Sequence, residues 1–277
     1  MKIFFQRDQM DIANLNLQTG IKSDDLIRDW IDKKYVTPSD VCGYEPLKRD
    51  DFFGAHDKSF VEDVFNGLGA WASDIDPTLV SNSLQTAFGS IYAAAEYVVR
   101  NEGVACAPTP GFHLASYFHG NGRCPFNGQM VAALKLLNEG LVETVGILDC
   151  DSMYGNGTSE IISHLGLEKT VLHKTAGSMG ITNFSDLIYW LHVSIKELRD
   201  CDVVLYQCSI SPKLSNILGS ELSLTSQYFR DLRVFERLPR VAWSFTDDVE
   251  EFRRLRLYYL TVLAATNVES SRLKNNN

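Results

Sequence analysis

Short, fully apolar runs that alternate with longer helical patterns constrain this chain more than any other feature of its sequence. Several runs contain no alternating polar position, which is typical of parallel strands buried on both faces. The pattern predicts an α/β fold in which helices cover both faces of a mostly parallel sheet. The predicted strands are Lys2–Phe5, Val104–Ala107, Thr144–Cys150, Thr170–His173, Asp202–Gln207 and Arg240–Phe245.

Helical periodicity fills the segments between these strands. No repeat and no proline- or serine-rich linker interrupts the 277 residues, so we predict a single domain, 1–277. Residues 1–55 are more polar and less regular, which predicts a peripheral region, and Ser270–Asn277 is expected to be frayed. The predicted helices are Pro77–Arg100, Asn127–Asn138, Asn183–Arg199, Thr225–Arg237 and Thr246–Ala265.

The charge and the cysteines limit the partners and the compartment. Lys+Arg number 26 against Asp+Glu 35, a net charge of -9. A protein that binds phosphate backbones needs a basic surface, so we expect no direct nucleic-acid partner. We find no apolar run of about 18 residues and no signal peptide, and we expect no membrane contact. The six cysteines form no CxxC pair, which is typical of free thiols in a reducing compartment, so we predict a cytoplasmic protein.

Ligands of parallel α/β folds bind at the carboxyl ends of the strands, so a site is expected in the loops that follow them. Asp149 and Asp151 end one buried run and precede Gly155-Asn-Gly157. Taken alone, the two carboxylates are equally compatible with a metal site and with anchors that bond loop amides. The loops concerned are Thr109–Asn127, Cys150–Thr158, Cys208–Gly219 and Ser244–Val249.

Several motifs occur in the order known from one superfamily. They are Pro110-Gly-Phe-His-Leu-Ala115, Gly122-Arg-Cys-Pro-Phe-Asn127, Asp149–Gly157, Val171-Leu-His-Lys174 and Val204-Leu-Tyr-Gln207. On these motifs taken together, the chain resembles the arginase/deacetylase superfamily, most closely the histone deacetylases and the bacterial acetylpolyamine amidohydrolases. The resemblance covers roughly residues 50–265. It implies a single three-layer α/β/α domain with a mostly parallel, eight-stranded sheet.

The resemblance also implies a zinc chemistry, from which this chain departs at the metal ligands. Members of the family hold one zinc ion with Asp, His and Asp, and water attacks the carbonyl that the zinc polarises. Asp151 keeps the first ligand position, whereas Met153 replaces the His and Ser211 replaces the second Asp. A catalytic zinc site usually needs three protein ligands, and a thioether suits copper(I) better than zinc. We therefore expect no zinc cofactor.

The positions that serve proton transfer and substrate binding are changed as well. His113 occupies the first of two tandem histidines, but Leu114 occupies the second and accepts no proton. Val249 stands where the family has a tyrosine that donates to the oxyanion. Arg123 replaces an aromatic residue of the acyl channel. The pocket positions that the resemblance implies are Arg123, Cys124 and Cys208.

Two features of the family are expected to survive. Asp149, Asp151 and Leu172 match positions that surround a structural monovalent cation, so we predict a K⁺ or Na⁺ ion that stiffens the loop. We also predict that His113 and Asp149 form a buried pair. Without zinc, a structural hydrogen bond is the favoured interpretation of this pair over a tuned catalytic base.

These changes lead to one main hypothesis and two alternatives. The main hypothesis is a pseudo-deacetylase that acts as a binding, regulatory or structural subunit, in a homo-oligomer such as a dimer or beside a related protein. One alternative is a metal-dependent amide hydrolase that acts on a small N-acetylated amine or acetyl-lysine through a rearranged site. The other is a small-molecule sensor in which Arg123 selects an anion. A helical stripe is predicted to be core or interface: Leu187, Tyr189, Trp190 and Leu191.

Overall fold

One parallel sheet organises the molecule. The computed structural model describes residues 1–6, 23–68, 77–121, 125–151, 153–178, 181, 183–208, 225, 228–245 and 251–275. Seven strands in this part form the sheet, in the order β2-β1-β3-β7-β6-β4-β5. They are β1 (Lys2–Phe4), β2 (Val41–Cys42), β3 (Gly103–Pro110), β4 (Val145–Asp149), β5 (Val171–Thr175), β6 (Val203–Gln207) and β7 (Arg240–Phe245). All six predicted strands are present, and the α/β class with a parallel sheet is confirmed.

The burial of strands in the middle of the sheet explains their continuous apolar runs in the sequence. β3, β4 and β6 are buried at every position, as expected for parallel strands with helices on both faces. β2 was not predicted, because its two residues are too few to show a pattern. The resemblance implied eight strands, and the described part of the chain contains seven.

Helices cover both faces of the sheet. Asn183, at the start of one predicted helix, caps it by accepting a hydrogen bond from the backbone N–H of Asp186 at 3.0 Å. No described helix is long and apolar enough to cross a membrane. The described helices are α1 (Ser23–Asp32), α2 (Lys58–Phe65), α3 (Pro77–Asn101), α4 (Gly128–Asn138), α5 (Asn156–Leu165), α6 (Phe184–Leu198), α7 (residues 228–237) and α8 (Glu251–Asn275).

Two apolar cores, one on each face of the sheet, make the three layers. The first core contains buried residues of α3, α4 and α5, among them Ile91, Met130 and Ile161. The second core contains buried residues of α1, α6, α7 and α8, among them Trp30 and Leu191. The sheet therefore presents its carboxyl edge, between these layers, as the place for a site.

Both ends of the chain contain regular structure. In the region 1–55, which was predicted to be peripheral, β1 and β2 form one edge of the sheet and both Ile3 and Trp30 are fully buried. In the segment Ser270–Asn277, which was predicted to be frayed, α8 continues to Asn275. Arg272 holds this end in place, because its guanidinium donates to the carbonyls of Phe235 and Leu238.

Candidate functional site

A buried histidine and a buried aspartate meet at the carboxyl edge of the sheet. Asp149 is the last residue of β4, and His113 lies in the loop between β3 and α4. Nδ1 of His113 lies 2.5 Å from Oδ2 of Asp149, and both side chains are fully buried. Burial raises the pKa of the Asp149 carboxyl, but the imidazoles of His113 and His173 outweigh it and hold that pKa well below its ordinary value. The pair predicted from the resemblance is therefore present.

The glycines of the loop after β4 let it close over this pair. A Cβ atom at Gly155 would lie 2.6 Å from Oδ2 of Asp149 and 3.2 Å from Nδ1 of His113. A Cβ atom at Gly157 would lie only 2.2 Å from the carbonyl oxygen of Ala115. Such distances leave no room for a side chain, so the Gly155-Asn-Gly157 motif is a packing requirement.

Asp151 bonds the backbone of its own loop. Oδ1 of Asp149 accepts a hydrogen bond from the N–H of Asp151 at 2.9 Å. Oδ1 of Asp151 accepts one from the N–H of Met153 at 2.8 Å. Asp151 is fully buried, whereas the side chain of Met153 is 38% exposed. The two carboxylates thus make the amide contacts that the anchoring interpretation of this motif requires.

The other predicted positions lie in different elements. Leu114 is half-buried and packs against the first core. Leu172 lies in β5, in register with Gly146 of β4. Cys208 is fully buried after β6, and its Sγ lies 3.1 Å from Oγ1 of Thr261. Four predicted residues lie outside the described residues: Arg123, Cys124, Ser211 and Val249.

His173 is a partner of Asp149 that sequence reasoning did not assign. Its Nε2 lies 3.9 Å from Oδ2 of Asp149, and its Nδ1 lies 3.0 Å from Oγ of Ser159. The hydroxyl of Tyr154 donates to that same Oγ at 2.9 Å. A chain of polar groups therefore runs from the buried carboxylate to the surface. The contact depends on the strand register, which pairs His173 with Ile147, and a single sequence contains no signal for that register.

A groove opens beside β5, where this polar chain reaches the surface. Its volume is about 540 Å³, and Tyr154, Ser159, His173 and Trp190 contribute to its lining. Cys208, one of the pocket positions that the resemblance implies, is not among the described residues that line it. The other two pocket positions, Arg123 and Cys124, lie outside the described residues.

Two buried glutamines are a further feature that the sequence did not reveal. Gln129 of α4 and Gln207 of β6 are fully buried. A Cβ atom at Gly111 would lie 2.4 Å from Oε1 of Gln207 and 3.1 Å from Nε2 of Gln129. Neither side-chain amide has a hydrogen-bond partner in the part of the chain that the structure describes. Two polar side chains are thus buried beside Gly111.

The thiols near this edge are buried. The five cysteines of the described part form no disulfide, as predicted. Burial raises the pKa of the Cys150 thiol to about 12 and raises those of Cys106 and Cys208 well above the ordinary value. Since the thiolate is the reactive form, these side chains behave as apolar packing groups.

Fold and site together define a class of protein: a three-layer α/β domain with a parallel sheet and a His–Asp pair at its carboxyl edge. The model of the histone deacetylase domain matches residues 22–175. This segment is more than half of the 277 residues, so the chain belongs to the histone deacetylase family. The resemblance drawn from the motifs is thereby confirmed.

A solved structure agrees with this assignment at the level of the fold. The crystal structure of the HDA15 HD domain matches with a TM-score of 0.70 and 17% sequence identity, over 96% of this chain and 87% of that chain. A comparison with curated proteins found no match.

Proposed function

We propose that this protein is a histone deacetylase family member that has lost zinc-dependent catalysis and acts as a non-catalytic binding, regulatory or structural subunit. The observation that carries the proposal is the environment of Asp151, which stands at the first zinc-ligand position of the family. Its buried carboxylate accepts a hydrogen bond from the N–H of Met153 at 2.8 Å. One oxygen of the carboxylate therefore bonds the backbone of its own loop.

The donors at the zinc position do not fit a catalytic zinc ion. Met153, in the place of the His ligand, offers a thioether on a side chain that is 38% exposed. Ser211 replaces the second Asp in the sequence. Zinc in hydrolases takes three nitrogen, sulfur or carboxylate ligands and a water molecule. One carboxylate and one thioether do not supply this set, so we derive no hydrolytic step.

The residue after His113 supports the same proposal. A hydrolase of this family needs a proton acceptor beside the attacking water. Leu114 stands at that position, is half-buried and packs against the first apolar core. His113 is bonded to Asp149, and because Leu114 accepts no proton beside it we assign the retained imidazole to the scaffold of the loop.

The proposal also includes a bound monovalent cation and a cellular compartment. Asp149 and Leu172 lie on the paired strands β4 and β5, and a K⁺ or Na⁺ ion near these residues and Asp151 would stabilise the loop. Free thiols in the described part of the chain support a reducing compartment such as the cytoplasm.

Metal content and hydrolysis, measured on the same purified protein, test the proposal. We expect far less than one zinc per chain in elemental analysis and no deacetylation of acetyl-lysine peptides or acetylpolyamines. One zinc per chain together with hydrolysis would contradict the proposal and support the amide hydrolase instead.

A reconstructed ligand set provides the control. The double variant Met153→His, Ser211→Asp restores the three ligand types of the family, so we expect it to take up zinc. Hydrolysis should remain absent in this variant because Leu114 still cannot accept a proton. Zinc uptake by the double variant shows that the metal assay detects a competent site.

A further inference from the structure

An exposed stripe on α6 takes no part in the proposed function. Tyr189 is 73% exposed, although Leu187, Trp190 and Leu191 beside it are buried. The three buried residues therefore belong to the core, whereas the exposed Tyr189 is available for an interface. The α6 stripe follows spacings of three, four and three residues, which is the spacing of a helix–helix seam. It consists of Asp186, Tyr189, Val193 and Lys196, of which Val193 is half-buried and the others are exposed.

An apolar groove adjoins this stripe. Its volume is about 400 Å³, and Phe184, Ile188 and Tyr189 of α6 line it together with Arg233 of α7. The helices α6 and α7 are neighbours, since Nη1 of Arg237 lies 2.9 Å from Nδ1 of His192. The side chain of Phe229, also on α7, is 51% exposed. One patch therefore carries both a projecting aromatic ring and an apolar groove.

We propose that this patch is the interface of a homodimer in which α6 of one copy packs antiparallel against α6 of a second copy. A two-fold interface uses the same surface on both subunits, so the surface has to be complementary to itself. A projecting Tyr189 beside an apolar groove meets that condition. The proposal does not depend on the loss of zinc chemistry.

The charges of the stripe select the antiparallel direction. Asp186 lies near the start of α6 and Lys196 near its end, and both are exposed. Antiparallel packing places Asp186 against the partner's Lys196, and this ion pair occurs twice. Parallel packing would oppose two aspartates at one end and two lysines at the other, which is unfavourable. Charge complementarity thus identifies a second copy of this chain as the occupant.

The dimensions also fit such a pairing. Asp186 and Lys196 are about 15 Å apart along the axis, at the usual rise per residue. A two-fold axis halfway between them brings Tyr189 opposite the partner's Val193. A stable interface buries about 800 Å² on each partner. The exposed Phe229 and the groove-lining Arg233 both lie on α7, so the patch extends over two helices.

Charge exchange tests the pairing by sedimentation or light scattering. Asp186→Lys and Lys196→Asp each oppose like charges, so each variant should dimerise at least about ten-fold more weakly than the wild type. Mixing the two single variants should restore a dimer, because one stripe is then wholly basic and the other wholly acidic. The double variant should again dimerise by itself.

Aromatic variants give an independent readout. Tyr189→Ala should weaken the dimer, whereas Tyr154→Ala, at a tyrosine that is 45% exposed outside the patch, should not. Circular dichroism melts verify that each variant is folded. A wild-type chain that stays monomeric at roughly 100 μM, far above the Kd of micromolar complexes, would overturn the proposal. A dimer that ignores the charge exchange, or single variants that fail to pair when mixed, would overturn it as well.

Discussion

Nδ1 of His113 lies 2.5 Å from Oδ2 of Asp149, and neither side chain has any contact with solvent. A buried pair of this kind is tolerated because each partner satisfies the other, and breaking it leaves a buried group unpaired. In this chain the pair joins the loop after β3 to the end of β4. Leu114 follows His113 at the position where the family has a second histidine for proton transfer, so we expect the pair to have a structural role.

Replacing His113 should therefore be costly. We expect His113→Ala to lower the free energy of unfolding by about 3–5 kcal/mol, because Asp149 loses its closest partner in a buried environment. Urea unfolding monitored by circular dichroism measures the difference. His119→Ala is the control, since His119 lies in the same loop but is exposed, and it should cost about 1 kcal/mol or less. Equal effects of the two substitutions would disprove the structural role.

Gly155 should not accept a side chain. Its Cβ would lie 2.6 Å from Oδ2 of Asp149 and 3.2 Å from Cε1 of His173. We expect Gly155→Ala to destabilise the fold by about 1–3 kcal/mol, as overpacking does elsewhere. Gly43→Ala is the matched control, because nothing lies within 4 Å of a Cβ atom there, and it should be neutral or slightly stabilising. Thermal denaturation of both variants compares them, and unchanged stability of Gly155→Ala would refute the packing argument.

His56 should make stability depend on pH. Its Nδ1 lies 2.8 Å from the carbonyl oxygen of Ser116, and its Nε2 accepts from the N–H of Asn127 at 2.9 Å. Burial lowers its pKa from 6.5 to about 4. The unfolded chain therefore binds a proton that the folded chain excludes between these values, so stability should fall as the pH falls from 6.5 to 4. The total contribution is on the order of 3 kcal/mol.

Urea midpoints at several pH values between 7 and 4 measure this dependence. In His56→Gln, the slope of the free energy of unfolding against pH should decrease by up to the equivalent of about one bound proton. It should persist in His164→Gln, whose imidazole is exposed. Identical slopes in all three proteins would show that His56 does not titrate as its burial implies.

The buried thiols should resist alkylation in the folded protein. Burial raises the pKa of Cys150 to about 12 and that of Cys208 well above its usual range, so little thiolate forms near neutral pH. Among the five cysteines that the structure describes, we expect iodoacetamide to label the half-buried Cys42 first. Mass spectrometry of digests locates the label, and denaturation in urea should make all six cysteines reactive. Rapid native labelling of Cys150 would contradict the described burial.

Local patterns in the sequence determined the fold class and most of its elements. Parallel strands buried on both faces are continuous apolar runs, so β4 and β6 could be recognised without any tertiary information. The cap of α6 at Asn183 follows from the local chemistry of a helix start. The ordered motifs from Pro110 to Gln207 indicated the family. β2 escaped prediction because two residues carry no periodicity.

Only the tertiary structure decided which side chains meet. The spacing of residues assigns a side chain to one face of its element, but strand register and helix packing choose its neighbours, and these are contacts between distant parts of the chain. Register brings His173 to Asp149, and packing buries Trp190 while Tyr189 stays exposed. The sequence by itself thus determined the family scaffold and predicted substitutions at its ligand positions, whereas the buried His113–Asp149 environment and the exposed face of α6 required the folded chain.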